Sequence, residues 1–130
     1  MTKGGLLQGK TFEEFQPGAR YITARRTITE HDIMQFVCLV GMSEPLFLDL
    51  EYIRKESLYG ERIAPGSLTF GIAEGLTVQT TIIHGTGMAF AGLDKMRLFE
   101  PVKVNDTIQV EIEVLDKKPI PARGGRECSP

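Results

Sequence analysis

The amino-acid sequence predicts an α+β domain in which a curved antiparallel sheet wraps around one buried central helix. Residues 66–83, "GSLTFGIAEGLTVQTTII", are apolar around nearly the whole circumference of a helix and place Leu68, Ile72 and Leu76 four residues apart. This pattern is typical of a helix enclosed by other elements. Apolar and polar residues alternate over 108–114, which indicates a strand with one solvated face. The predicted order of strand, helix, short helix, buried helix, strand and strand favours one core built from both element types.

Length and composition fit one folded domain. The chain has 130 residues, of which 42% are hydrophobic and 25% charged, and its formal net charge is -2. Such a chain buries one core and has no general attraction to nucleic acid or to an anionic membrane. We expect the domain over residues 11–118, between a flexible arm over 1–10 and an irregular tail over 119–130.

The sequence predicts neither secretion nor membrane insertion. Its N-terminus lacks the apolar core of a signal peptide, and no run of about 18 apolar residues occurs anywhere. Cys38 and Cys128 form neither a disulfide framework nor a metal-ligand spacing. We therefore expect a cytoplasmic protein with no metal site.

The first half of the chain contains a strand and two helices by pattern. Residues 19–28, "ARYITARRTI", have the β-branched and aromatic composition of a strand. Thr29 then precedes "EHDIMQFVCLV" as an N-cap, and Gly41 is placed to end that helix. "LDLEYIRKESLYG" predicts a short surface helix closed by Gly60.

The second half is organised around the buried helix. Gly71 and Gly75 each cost about 1 kcal/mol relative to Ala inside a helix, so we expect a backbone or ligand to approach closely there. Residues 88–98, "MAFAGLDKMRL", predict a strand with Gly92 as a bulge. The Asn-Asp pair at 105–106 predicts a turn before the last strand.

Four stretches of the chain carry a resemblance to a known family; these are "TITEHDIMQFVCLVG", "EPLFLDLEY", "RIAPGSLTFGIAEGL" and "FEPVKVNDTIQVEIEVLDKK". Over about residues 12–118 the local sequence resembles the MaoC-like dehydratases, relatives of the (R)-specific enoyl-CoA hydratases. The resemblance implies the hotdog fold, an acyl-CoA thioester as substrate, and no further cofactor.

The C-terminus departs from this resemblance. Hotdog domains ordinarily carry further strands, but the remainder here is "KPIPARGGRECSP", where three prolines and two glycines disfavour another paired strand. We expect either a shortened hotdog or a reading frame that has been cut. Because a missing strand leaves a sheet edge exposed, we predict a homodimer.

The hydratases of this family are recognised by G-D-x-N-P-x-H, whose Asp and His act together on a water molecule. The corresponding stretch here is "GMSEPLF", residues 41–47. Met42 stands in the place of the Asp and Phe47 in the place of the His, and neither side chain can move a proton. We expect both to contact substrate instead.

A second family feature is a glycine at the start of the buried helix whose N–H holds the thioester carbonyl. Gly66 matches it, and the free N–H groups at a helix start favour developing negative charge. Pro65 replaces the histidine that often precedes this glycine. We predict that Pro65, Gly66 and Ser67 contact the substrate.

Three residues are candidates for the missing acid-base chemistry. Glu44 lies in the same loop as the replaced pair and is a candidate base, although it could instead cap a helix or pair with Arg62. Glu74 lies on the buried helix, where a hotdog thioesterase carries a carboxylate, or it is a helix-end or interface glutamate. His84 is a candidate proton shuttle, or it bonds a loop carbonyl.

Three functions remain open from the sequence. The first is an acyl-CoA hydratase or dehydratase with a rewired active site that uses Glu44 or His84. The second is an acyl-CoA thioesterase that uses Glu74. The third is a non-catalytic protein that binds acyl-CoA or forms the structural half of an assembly, which the apolar Met42 and Phe47 favour.

Overall fold

Helices and short antiparallel strands alternate along residues 8–119, the part of the chain that this structure, a computed structural model, describes. Most of the predicted N-terminal arm and C-terminal tail, and any C-terminal strands, lie outside the described residues. The elements are a 3-10 turn (Phe12–Glu14), β1 (Arg20–Ile22), β2 (Arg26–Thr27), α1 (Glu30–Val40), α2 (Pro45–Leu48), α3 (Leu50–Lys55), α4 (Gly66–Gln79), β3 (Thr107–Ile108) and β4 (Glu111–Glu113).

The described residues divide into two compact units. The first contains residues 8–24, 75–96 and 110–119, and the second contains residues 25–74 and 97–109. Helix α4 contributes residues to both. No helix of the described chain is long and apolar enough to cross a membrane.

The first unit is organised by the antiparallel pairing of β1 with β4. Tyr21 lies opposite Ile112 in this ladder, and both are partly buried. In the same unit, Gly9 and Lys10 donate backbone hydrogen bonds of 2.7 Å to the carbonyls of His84 and Ile82. A side chain at Gly9 would collide with the backbone of residues 82–84, so only glycine fits this approach.

In the second unit, β2 pairs with β3, so the predicted strand over 19–28 is divided into β1 and β2. The N–H of Ile28 donates to the carbonyl of Asp106 at 2.8 Å, and its carbonyl accepts from Asn105 at 2.7 Å. Asn105 has a φ of 71°, a left-handed conformation that asparagine tolerates. The predicted turn at 105–106 is confirmed.

Helix α1 begins and ends where the sequence predicts. The Thr29 hydroxyl accepts from the N–H of Asp32, and the Asp32 carboxylate accepts from the N–H of Thr29, which together form a capping box. At the other end Gly41 has a φ of 77° and donates to the carbonyl of Val37. Ile33 and Val37 lie on the buried face of the helix.

The predicted surface helix is shorter than expected, and another helix precedes it. Pro45 occupies the first turn of α2, where its missing N–H costs nothing. Asp49 caps α3 by accepting from the N–H of Tyr52 at 3.1 Å. Because α3 ends at Lys55, Gly60 does not close it, and that prediction is wrong.

The buried stripe predicted for α4 is confirmed, but the helix is not enclosed on all sides. Leu68, Ile72 and Leu76 are buried, with 8%, 7% and 2% of their surface exposed. The helix ends at Gln79 rather than at residue 83. Its opposite face is exposed, at Ser67, Gly71, Glu74 and Val78. The expected close approach is absent within the described chain, since a Cβ at Gly71 or Gly75 would meet no atom within 4 Å.

The predicted strand over 88–98 does not form. Residues 88–98 adopt no regular structure and are all exposed. Strand propensity depends on packing against a neighbouring strand, and a stretch that contains Gly92, Asp94 and Lys95 has little propensity of its own. The apolar side chains of this segment consequently remain at the surface of the single chain.

Candidate functional site

A cleft of about 660 Å³ lies in the second unit between two short segments of the chain. One wall, the loop wall, consists of the loop after α1 and the first turn of α2, residues 41–47, and the other, the α4 wall, of the start of α4, residues 65–67. Leu98 also lines the cleft. The cleft therefore gathers five of the residues predicted to bind substrate and one predicted to act as a base; these are Met42, Glu44, Phe47, Pro65, Gly66 and Ser67.

The α4 wall presents unpaired backbone N–H groups. The carbonyl of Pro65 accepts from Leu68 and Thr69 at 3.0 and 3.1 Å and so opens the helix. Within residues 8–119, the N–H groups of Gly66 and Ser67 donate to no protein acceptor. They lie at the positive end of the helix dipole, an environment that attracts a carbonyl oxygen gaining negative charge.

Glycine at position 66 lets the side chain of Leu98 pack closely against this helix start. A Cβ built on Gly66 would collide with the side chain of Leu98. Any larger residue would therefore compete for space in front of the free N–H groups.

The loop wall is a tight connection between α1 and α2. After the left-handed Gly41, the N–H of Met42 donates to Val37 at 3.0 Å, and the N–H of Glu44 donates to Met42 at 3.0 Å. Phe47 N–H then donates to the Glu44 carbonyl at 2.9 Å in the first turn of α2. These backbone bonds fix where the side chains of Met42 and Glu44 leave the loop.

Glu44 has neither of the structural partners proposed from the sequence. It occupies the N-cap position of α2, but its side chain makes no cap hydrogen bond. Arg62 pairs with Glu30 instead. Glu44 is exposed and lines the cleft, so its carboxylate is accessible to a ligand there.

Arg62 is the residue near the cleft whose role the sequence analysis missed. Only 7% of its surface is exposed to solvent, and its Nε–H donates to the carbonyl of Phe47 at 2.8 Å. Its Nη1 contacts the carboxylate of Glu30 in the first turn of α1. The available signal was an arginine within the apolar "RIAPG" stretch, because an arginine buried there requires a partner.

Glu74 and His84 lie elsewhere. Glu74 is exposed on α4 and does not line the cleft. His84 belongs to the first unit, where it is exposed and its N–H donates to the Thr81 carbonyl at 3.0 Å. The described residues contain no cluster of three or more His, Cys, Asp or Glu able to hold a metal ion.

A central helix and antiparallel strands are features of a hotdog protein, and the fold itself is shown by comparison with solved structures. The structure matches the unliganded R-hydratase PhaJ1 from Pseudomonas aeruginosa with a TM-score of 0.67 and 30% sequence identity. That match covers 87% of this chain and 70% of the hydratase chain. The hotdog prediction is confirmed.

The family follows from the sequence itself. Residues 13–125 match the model of the MaoC like domain, so the chain belongs to the MaoC-like family. It is 38% identical to Protein MaoC from Klebsiella aerogenes over 121 residues, which is 93% of this chain but 35% of that protein. It thus spans about a third of the length of MaoC. It is also 26% identical to the 3-hydroxybutyryl-CoA dehydratase of Methylorubrum extorquens over 118 residues, covering 91% of this chain and 72% of the dehydratase.

Proposed function

We propose that this chain is an acyl-CoA hydratase or dehydratase whose proton transfer depends on Glu44. The observation that carries the proposal is that an accessible Glu44 carboxylate and the free N–H of Gly66 line the same cleft. The similarity to an R-hydratase and to a dehydratase of 3-hydroxybutyryl-CoA supports the choice of reaction and substrate class.

The proposed hydration proceeds in two proton transfers. Glu44 removes a proton from water as the water oxygen bonds to C3 of the enoyl chain. The electron pair of the C2=C3 bond moves toward C2 and the thioester oxygen, where the N–H of Gly66 stabilises the charge. The protonated Glu44 then returns its proton to C2, which completes the addition of water. Dehydration is the reverse.

Enoyl-CoA thioesters from crotonyl-CoA upward test the reaction. Loss of the conjugated double bond reports hydration, and free thiol reports hydrolysis. We expect the native chain to hydrate these substrates, and we expect Glu44→Gln to lower the rate of hydration by a factor of about 100 or more. Glu74→Gln is the matched control, because it removes an exposed carboxylate of the same unit that does not line the cleft. An unchanged rate in Glu44→Gln excludes Glu44 as the base, and thiol release that Glu74→Gln abolishes supports a thioesterase instead.

A second candidate function is binding of acyl-CoA without turnover. Met42 and Phe47 give the loop wall apolar side chains, which contact an acyl chain and move no proton. This function predicts saturable binding of an acyl-CoA by calorimetry, with neither hydration nor thiol release.

We also propose that two copies of the chain associate. Several large apolar side chains of the irregular segment are about half exposed in the single chain; these are Met88, Phe90, Leu93 and Met96, at 51%, 59%, 52% and 48%. Contiguous exposed apolar surface is typical of an interface, and we expect these neighbouring residues of the chain to form such a surface. Sedimentation at micromolar concentration tests the assembly, and a monomer there contradicts it.

A further inference from the structure

The side chain of Arg62 is buried, although the ion pair it forms is with an exposed residue. Its side chain retains 8% exposure, whereas that of its partner Glu30 retains 58%. An arginine loses much hydration on burial and is stable there only when its donors are satisfied. An ion pair with an exposed glutamate alone compensates little of that cost.

The second contact of Arg62 connects it to the loop wall of the cleft. Its Nε–H donates to the Phe47 carbonyl at 2.8 Å. Phe47 lines the cleft, and its own N–H is bonded to the Glu44 carbonyl at 2.9 Å. The guanidinium is therefore connected through Phe47 to the backbone carbonyl of Glu44, the residue that carries the proposed base.

The backbone of Arg62 lies three residues before the opposite wall, which begins at Pro65. Its carbonyl accepts from Val104 at 3.0 Å, and the N–H of Ala64 donates to Val102 at 2.7 Å. These bonds hold the stretch that leads directly into Gly66. One residue thus fixes the start of α4 through its backbone and the loop through its side chain.

We infer that Arg62 is a positioning residue that holds the loop over residues 41–47 in register with the start of α4. The inference rests on the proposed function, since the reaction needs Glu44 and the Gly66 N–H in one fixed geometry. A displacement of about 1 Å at a reacting group lowers a rate by a factor of about 100. The planar guanidinium suits this task because its Nε and Nη1 are separate donors held in one rigid plane, whereas lysine carries all its donors on one nitrogen.

The test uses a tryptophan reporter that needs no substrate. The native chain contains no Trp, so Phe47→Trp places a single indole on the loop while keeping the backbone carbonyl that Arg62 contacts. In that background Arg62→Lys and Arg62→Met are compared with Glu30→Gln, which weakens the ion pair and leaves the contact with the carbonyl of position 47. Arg26→Met is the matched control, because Arg26 is also paired with a carboxylate of α1 but does not contact the loop.

We expect acrylamide to quench the indole of the reporter at least twofold more readily in both Arg62 variants, and not in Glu30→Gln or Arg26→Met. In the native background, Arg62→Lys should lower kcat for hydration by about 10- to 100-fold while KM changes less than about threefold. Circular dichroism tests whether each variant is folded. If Arg62→Met does not fold, Arg62→Lys, which keeps the positive charge, carries the test.

Two outcomes overturn the inference. One is equal quenching of the indole in folded Arg62→Lys and in the reporter that carries Phe47→Trp alone. The other is the same increase in Glu30→Gln, which would assign the effect to the ion pair. Failure of the proposed function looks different, because Glu44→Gln would then leave hydration unchanged while the response of the indole to the Arg62 substitutions persisted.

Discussion

The two walls of the cleft place different demands on the amino-acid sequence. The start of α4 offers backbone N–H groups, and it requires only that Gly66 leave them accessible. The loop over 41–47 offers side chains, and there Met42 and Phe47 replace the acidic and basic pair that the resemblance implies. A hydrogen-bond donor of the backbone is retained when neighbouring side chains are substituted. A side-chain acid or base is lost when its own residue is substituted.

The largest expected effect comes from a substitution in the α4 wall. Gly66→Ala places a methyl group where the end of the Leu98 side chain lies, so Leu98 must move within the cleft, and we expect the displaced side chain to obstruct the N–H of residue 66. Loss of one donor to a developing oxyanion costs a factor of about 100 to 1,000, and we expect a fall in kcat of that order. Steady-state hydration of crotonyl-CoA measures it.

Gly71→Ala is the control for this substitution on the same helix. A Cβ at Gly71 meets no atom within 4 Å, and alanine is the better helix former. We expect unchanged hydration and a gain in the free energy of unfolding of about 0.5–1 kcal/mol. If Gly66→Ala is as active as Gly71→Ala, the α4 wall does not hold the carbonyl.

The next largest effect is expected from restoring the acid-base pair on the loop wall. Met42→Asp combined with Phe47→His reinstates the pair that the resemblance implies, on a loop whose backbone bonds are already formed. General acid-base groups contribute factors of about 100 to 10,000, so we expect hydration to rise by at least about 10-fold. The initial rate with crotonyl-CoA is the measurement.

The single variants control this restoration. Because the two side chains act together, the gain in the double variant should exceed the product of the gains that Met42→Asp and Phe47→His give separately. A folded double variant with no gain would show that the loop no longer presents these positions to the substrate.

Sequence predicts the parts of this fold that depend on neighbours along the chain. The N-cap at Thr29, the helix end at Gly41 and the turn at Asn105 are correct because each depends on one residue and its immediate backbone. The buried stripe of α4 is correct because helical spacing alone determines which side chains share a face.

The errors concern features that depend on distant partners. The segment 88–98 has the apolar residues of a strand, but a strand forms only against another strand, and no local pattern supplies one. The pairing of Arg62 with Glu30 and with the carbonyl of Phe47 joins segments 32 and 15 residues apart. A backbone acceptor leaves no trace in residue identity, so this part of the candidate site was not predictable.

The smallest expected effect concerns α1, the helix that ends at the loop. Hydrogen bonding of the Asp32 carboxylate to the N–H of Thr29, with further help from the Thr29 side chain and Arg26, lowers the pKa of Asp32. A depressed folded-state pKa stabilises the fold above the unfolded value of about 3.9, and the contribution is lost as pH falls through the folded value. We expect Asp32→Asn to cost about 1 kcal/mol at pH 7 and less at pH 3.

Urea unfolding at the two pH values measures the contribution of Asp32, and Thr29→Ala separates the two halves of the capping box. Thr29→Ala removes the hydroxyl but keeps the backbone N–H that bonds Asp32, so it should lower stability while retaining most of the pH dependence. Hydration at pH 7 should be unchanged in both variants, because neither residue lines the cleft. A loss of activity that parallels the loss of stability would mean that the loop wall depends on the whole of α1 rather than on Arg62.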